Sequence, residues 1–105
     1  MHPRPGDVWL ADLGIAGKTR PVVIVSRHDP ASPRVLCIYI PLTTQDRGSN
    51  YEVPVTANFL RETSVANVQG IASVAIARLE RRIGVVPDST LQEIRRALKF
   101  ALELD

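Results

Sequence analysis

The sequence predicts a mainly β protein, a small barrel of antiparallel strands followed by one C-terminal α-helix. Two observations indicate this fold class. Over the first two-thirds of the chain, short β-branched segments alternate with clusters of Gly, Pro, Asn and Asp, which is typical of strands joined by turns. In the last segment, the apolar residues recur at helical spacing instead. Because 105 residues suffice for one core only, we expect residues 1–105 to form a single domain.

Six segments are predicted as strands, and each has its own pattern. The segment 21–26 is β-branched with little alternation, which predicts a strand buried on both faces. The segment 35–42 is equally apolar and has a proline near its end, and the segment 51–55 alternates. In chain order the predicted strands are residues 8–11 (VWLA), 21–26 (PVVIVS), 35–42 (VLCIYIPL), 51–55 (YEVPV), 70–77 (GIASVAIA) and 82–85 (RIGV).

Turns and a helix complete the predicted order of elements. Residues 14–17 (GIAG), 29–33 (DPASP) and 48–50 (GSN) consist of turn formers. A side chain of Asp88 or Thr90 is expected to cap the helix, because Thr90 and Glu93 have the spacing of a capping box. The apolar face of this helix is predicted to consist of Leu91, Ile94, Leu98, Ala101 and Leu102.

Charge and cysteine content limit the classes of function. The net charge is +2, and eleven of the thirteen cationic side chains are Arg, whose planar fork suits phosphate. This balance permits a nucleic-acid partner without requiring one. Cys37 is the only cysteine, which excludes an internal disulfide and a thiolate metal cluster and is compatible with a reducing compartment. Residues 1–5 lack the apolar core of a signal peptide, and no apolar run is long enough for a membrane span, so we expect a cytoplasmic protein.

Three segments in a fixed order carry a family resemblance. Residues 6–13 (GDVWLADL) come first and residues 17–26 (GKTRPVVIVS) second. The third is 40–45 (IPLTTQ), with 47–49 (RGS) directly behind it. Together with residues 79–84 and the helix after them, these segments resemble the MazF/PemK family of type II toxins, over nearly the whole chain.

The resemblance implies a fold, an activity and partners. The implied fold is an SH3-like antiparallel β-barrel with a C-terminal helix, as in MazF, PemK and CcdB, paired into a homodimer. The implied activity is cleavage of single-stranded RNA by attack of the ribose 2′-OH, which gives a 2′,3′-cyclic phosphate and a free 5′-OH and inhibits translation. It requires neither a metal nor another cofactor. The implied protein partner is a small antitoxin of the MazE kind, whose disordered tail folds across the RNA groove.

Arg20 and Thr43 are the candidate catalytic residues. Arg20 lies where a loop enters a buried strand, so its backbone is held while its guanidinium can stabilise the charge that develops on a phosphate. Thr43 matches the family's catalytic threonine, and its hydroxyl can hydrogen-bond a phosphate oxygen. From the residues alone, an ordinary surface arginine and an ordinary strand threonine remain alternatives.

Further residues are predicted to contact RNA without taking part in the chemistry. Four of them lie in or beside the loops that flank the proposed site, and the fifth lies on a strand before the helix. They are Lys18, Thr19, Thr44, Arg47 and Gln69. Trp9 could stack on a base, but a core or dimer-interface position is favoured for a tryptophan in a first strand.

The chain departs from the family where an acid and a base are expected. An Asp and an Arg in the strand before the helix are replaced here by Gln69 and Ala72. His28 has a suitable pKa for proton transfer, but it should lie at the far end of the strand that begins near Arg20. Two other interpretations therefore stay open: an inactive family member that only binds RNA or antitoxin, and a CcdB-like toxin directed at gyrase. The RNA sequence that is cut does not follow from these residues.

Overall fold

The protein folds into a curved antiparallel sheet with one helix packed against it. The computed structural model describes residues 2–14 and 16–104, and over these residues it contains seven strands and one α-helix. The strands are β1 (Asp7–Asp12), β2 (Thr19–Ile24), β3 (Leu36–Thr43), β4 (Glu52–Val55), β5 (Ser64–Asn67), β6 (Ala72–Ala75) and β7 (Leu79–Val85). The helix α1 spans Asp88–Leu102, and two 3-10 turns, Val68–Gly70 and Ile76–Arg78, flank β6.

The strands form one sheet in the order β4-β5-β3-β2-β1-β7, and every pairing is antiparallel. β6 pairs with the first half of β3, on the side where β5 pairs with its end. The predicted class, an antiparallel barrel-like sheet with a C-terminal helix, is confirmed. Within the part of the chain that the structure describes, the outer strands β4 and β7 are not paired with each other, so the barrel is not closed.

Apolar side chains occupy both faces of the sheet, because neighbouring residues of a strand point to opposite sides. Along β3, Ile40 and Leu42 enter a first core under the helix, whereas Cys37 and Tyr39 enter a second core on the opposite face. The strand β2 divides in the same way and is buried on both sides, as predicted. Trp9 lies in the second core with only 8% of its surface exposed, which confirms the expected core position.

The helix closes the first core with one apolar face. Leu91, Ile94 and Ala97 are buried against the sheet, mainly over β4 and the first 3-10 turn. The predicted face was wrong at its end, because Leu102 is 49% exposed. The predicted cap was also wrong: the capping residue is Pro87, and no side chain bonds the helix N-terminus. A proline fits there because its fixed φ suits the start of a helix and its missing N–H needs no partner.

Two segments differ from the predicted strands. β5 was not predicted, because its four residues (SVAN) are too few to show the alternation of a strand. They become a strand by pairing with β4 on one side and β3 on the other. Residues 70–77 were predicted as one strand but contain only the four residues of β6, between two 3-10 turns. The first predicted turn has Gly14 and Gly17 at positive φ, and Ile15 within it lies outside the described residues. No helix in the described ranges is long and apolar enough to cross a membrane.

Candidate active site

The two predicted catalytic residues lie on neighbouring strands and on the same face of the sheet. β2 and β3 pair Ile24 with Tyr39 and, at the other end of the ladder, Val22 with Pro41. The ladder ends there, and two residues beyond it on each strand lie Arg20 on β2 and Thr43 on β3. Because side chains alternate along a strand, both point to the face that carries the second core. Arg20 and Thr43 thus lie on one face of the sheet, toward the same end of β2 and β3.

The guanidinium of Arg20 is exposed and has no counter-ion among the residues that the structure describes. The backbone of Arg20 is fixed by the pairing of β2 with β1, where it lies opposite Ala11. Over residues 2–14 and 16–104, its side chain takes part in no hydrogen bond or ion pair. The ion pairs found there are Arg78 with Asp12, at 4.0 Å, and Arg82 with Asp7, at 3.2 Å. Arg20 is thus available to an anion from outside the chain.

The hydroxyl of Thr43 is oriented by the chain that follows it. The backbone N–H of Gln45 donates to Thr43 Oγ1 across 3.1 Å, so the oxygen is already used as an acceptor. A hydroxyl carries one donor proton beside its acceptor lone pairs, and that proton remains free. Thr43 is half-buried, which limits the rotamers of its side chain. The arrangement suits donation of a hydrogen bond to a phosphate oxygen.

A cavity of about 530 Å³ opens beside Thr43, at the ends of β3, β4 and β5. Three of the residues predicted from the sequence meet there, namely Thr43, Arg47 and Gln69. The complete lining is Thr43, Gln45, Arg47, Ser49, Tyr51, Glu52, Asn67 and Gln69. The other predicted contacts, Lys18, Thr19 and Thr44, are exposed and do not line this cavity.

Glu52 holds the loop that carries Arg47. Its Oε2 accepts the backbone N–H of Arg47 at 3.0 Å, and its Oε1 accepts the N–H and the hydroxyl of Ser49 at 2.9 and 2.7 Å. These bonds favour the charged form, so the backbone N–H groups of Ser49 and Arg47 lower the pKa of the Glu52 carboxyl. The same loop turns at Gly48, at φ +67°, whose N–H bonds the carboxylate of Asp46. These hydrogen bonds therefore fix the backbone of Arg47.

Gln69 reaches the cavity because the chain turns tightly there. The side chain of Asn67 accepts the backbone N–H of Gln69 at 3.1 Å and so caps the first 3-10 turn. At the end of this turn, Gly70 lies so close to β3 that a Cβ on it would stand 2.6 Å from Cγ of Pro41. Only a glycine permits this approach, which sets Gln69 beside the end of β3.

Sequence reasoning missed five residues of the cavity, Gln45, Ser49, Tyr51, Glu52 and Asn67. A signal existed for two of them. The spacing Ser-x-x-Glu from Ser49 to Glu52 is that of a capping box, in which the glutamate accepts the N–H of the serine. No local signal marks Asn67, because its strand was itself not predicted and its neighbours come from distant parts of the chain.

His28 lies away from this site, as expected. It follows the end of β2 opposite to Arg20, and its ring meets that of His2 edge-on at 5.2 Å. Both histidines line a second cavity of about 670 Å³, which also includes Cys37, whose thiol has a pKa raised by burial. Among the described residues, no three His, Cys, Asp or Glu side chains come together in a way that could hold a metal ion.

The sequence matches a known family over most of its length. Residues 4–102 match the family described as PemK-like, MazF-like toxin of type II toxin-antitoxin system. The probable endoribonuclease MazF5 of Mycobacterium tuberculosis is 34% identical over 104 residues, which cover 96% of this chain and 94% of that protein. Endoribonuclease MazF3 of the same species is 33% identical over 90 residues, which cover 84% and 86% of the two chains.

Solved structures share the whole fold. A mycobacterial endoribonuclease in complex with its cognate antitoxin superposes with a TM-score of 0.85 at 28% identity and covers 98% of this chain and 97% of its own. The Mycobacterium tuberculosis toxin MazF-mt6 gives a TM-score of 0.83 at 31% identity and covers 94% of this chain and 98% of its own. The curved sheet and its helix are thus a fold that these toxins have in common.

Proposed function

The chain belongs to the PemK/MazF family of type II toxins, and from this premise we propose that it is an endoribonuclease that cleaves single-stranded RNA and inhibits growth. Relatives that align over nearly the whole chain are named endoribonucleases, which favours this function over a gyrase-directed toxin. The single observation that carries the proposal is the unpaired guanidinium of Arg20, which shares a sheet face with Thr43.

The proposed reaction moves one phosphodiester bond within the RNA. The ribose 2′-oxygen attacks the adjacent phosphorus while the bond to the 5′-oxygen breaks. The proton of the 2′-OH is lost, and a proton is gained by the leaving oxygen, so the products are a 2′,3′-cyclic phosphate and a 5′-OH. DNA lacks the 2′-OH and is not cleaved. Negative charge grows on the non-bridging oxygens as the fifth bond to phosphorus forms.

Arg20 and Thr43 act on this developing charge. The guanidinium can donate two parallel hydrogen bonds to phosphate oxygens. It does not have to leave another protein group first, so no reorganisation is needed as the charge forms. The Thr43 hydroxyl, whose oxygen accepts the N–H of Gln45, donates a further hydrogen bond to a phosphate oxygen and orients the phosphate. Glu52 is a weak base at neutral pH, because hydrogen bonds lower its pKa, so its role is to hold the loop.

The other predicted residues bind the RNA on both sides of the cut. Arg47 and Gln69 line the cavity beside Thr43, and Lys18, Thr19 and Thr44 are exposed on the adjoining loop and strand ends. Cations on these loops attract the RNA backbone, and the polar side chains contact the nucleotides beside the cut. We assign these contacts to binding, not to chemistry.

The proposed toxin works as a homodimer and is controlled by an antitoxin. Residues 1–105 act as one domain, two copies pair into a homodimer, and the protein works in the cytoplasm. Its activity is silenced by an antitoxin, as supported by the mycobacterial relative solved in complex with its cognate antitoxin. A disordered antitoxin segment that folds on binding would cover the RNA-binding face.

The direct test is digestion of a long RNA in EDTA, followed by analysis of the product ends. We expect cleavage at defined sequences, with 2′,3′-cyclic phosphate and 5′-OH ends. A 2′-deoxy substitution at the cut nucleotide should protect the RNA. RNA that stays intact while it binds the protein would contradict the enzymatic proposal and would favour the alternative, a family member that only binds.

A further inference from the structure

The cavity beside Thr43 differs chemically from a phosphate site. Only two of its eight lining residues are charged, and the positive Arg47 and negative Glu52 cancel each other. The lowered pKa keeps the Glu52 carboxyl ionised, and a fixed negative charge in the wall opposes a phosphate inside the cavity. The remaining groups are neutral amides, hydroxyls and one phenol ring. Its volume of about 530 Å³ suits a small organic group.

Two side-chain amides contribute free hydrogen-bonding capacity to this cavity, whereas its carboxylate is largely used by its own loop. A carboxylate has about four acceptor sites, and three at Glu52 are used by Arg47 and Ser49. Gln45 and Gln69 engage neighbours only through their backbone N–H groups, and no described residue bonds their side-chain amides. Each amide presents a donor and an acceptor side by side, the pattern that recognises the edge of a base.

The cavity also has a fixed aromatic wall. Tyr51 lines it and packs against Phe100, with ring centroids 5.2 Å apart and planes inclined by 55°. The ring is half-buried and packs against the first core, so its orientation is set by the fold. A base that leaves the RNA stack can rest on such a ring.

We propose that this cavity is a subsite for one nucleobase next to the cut phosphate, with Gln45 and Gln69 as the residues that determine which base is accepted. The inference rests on the proposed ribonuclease function and adds to it the origin of sequence selectivity. Arg20 and Thr43 hold the phosphate, whereas the cavity holds a neutral base.

The test compares base selectivity, not total activity, in four proteins. Wild type, Gln45→Ala, Gln69→Ala and the control Gln92→Ala, an exposed glutamine on α1, digest a pool of randomised RNA, and the cut sites are sequenced. We expect wild type and Gln92→Ala to share a strong base preference at one position beside the cut. At least one site variant should weaken that preference about fivefold or more, the loss expected for one base-reading side chain. Unchanged preference in both variants would overturn the subsite.

A second measurement does not depend on cleavage. Four homo-oligonucleotides of 2′-fluoro RNA, which lacks the attacking hydroxyl, are titrated into the same four proteins. Wild type should discriminate between bases, and Gln69→Ala or Gln45→Ala should reduce that discrimination. Equal binding of all four bases by wild type would overturn the inference. Discrimination by a protein that never cuts RNA would instead preserve the subsite and refute the proposed enzymatic function.

Discussion

Gly70→Ala tests whether the close approach of the first 3-10 turn to β3 positions the site. A Cβ at this position would lie 2.6 Å from Cγ and 3.1 Å from Cδ of Pro41. A proline ring within a strand cannot swing aside like a flexible side chain, so the turn itself has to move. Overpacking of this kind costs about 1–3 kcal/mol, and the lower entropy of an unfolded alanine offsets about 0.4–1 kcal/mol of it. We expect a net loss of about 1–2 kcal/mol.

A double-mutant cycle with Pro41→Ala isolates the contact. Without the proline ring, the same Gly70→Ala change should be neutral or slightly stabilising, because only the unfolded-state term remains. Unfolding by urea, followed by circular dichroism at one fixed protein concentration, measures all four free energies. Equal effects of Gly70→Ala in both backgrounds would show that the contact with Pro41 does not hold the turn, and so would a stabilised single variant.

Three further predictions concern the core, the loop and the hydroxyl. Ile94→Ala empties a fully buried position under the helix and should lower the free energy of unfolding by about 2–5 kcal/mol in urea melts; a loss below about 1 kcal/mol would contradict the assigned core. In an NMR pH series, the Glu52 carboxyl should titrate below its ordinary pKa of 4.5, because the bonds from Ser49 and Arg47 lower its pKa in the folded protein. These bonds stabilise the loop fully above pH 4.5, and the stabilisation is lost as the pH falls through the lowered pKa of the folded protein. An unshifted titration would contradict the clamp. Thr43→Val should keep its melting temperature nearly unchanged but cleave RNA about 10- to 100-fold more slowly, the cost of one hydrogen bond to a charged group; unchanged cleavage would remove Thr43 from the site.

The sequence predicted the elements whose pattern is local and strong. The β-branched run that became β2, the apolar run that became β3 and the helical period of α1 each specify their own structure. β5 could not be predicted in this way, because its four residues form a strand only through partners that come from elsewhere in the chain. The cap at Pro87 was missed for a different reason. Asp88 and Thr90 are better capping residues and stand next to it in the sequence, but their side chains do not cap the helix.

In the candidate site, too, residues in recognisable segments were predicted and residues that depend on distant partners were not. Arg20 and Thr43 could be selected from segments that resemble the family, and the pairing of β2 with β3 puts both residues on one face of the sheet. Glu52 and Asn67 escaped prediction because their roles come from pairing: they lie opposite each other on β4 and β5, which are three and two strands away from Arg20 on β2. Residues that hold a loop or a turn have no chemical signature of their own until the fold brings in their partners.

In the proposed reaction, the exposed guanidinium of Arg20 stabilises the phosphate during cleavage. Single-turnover cleavage of a defined RNA in EDTA by Arg20→Ala, beside the control Arg27→Ala from the loop that follows the opposite end of β2, tests this role most directly. We expect a cleavage rate lowered roughly a hundredfold or more for Arg20→Ala, with an unchanged melting temperature, and a rate near that of wild type for Arg27→Ala. Cleavage by Arg20→Ala at the wild-type rate would contradict this role.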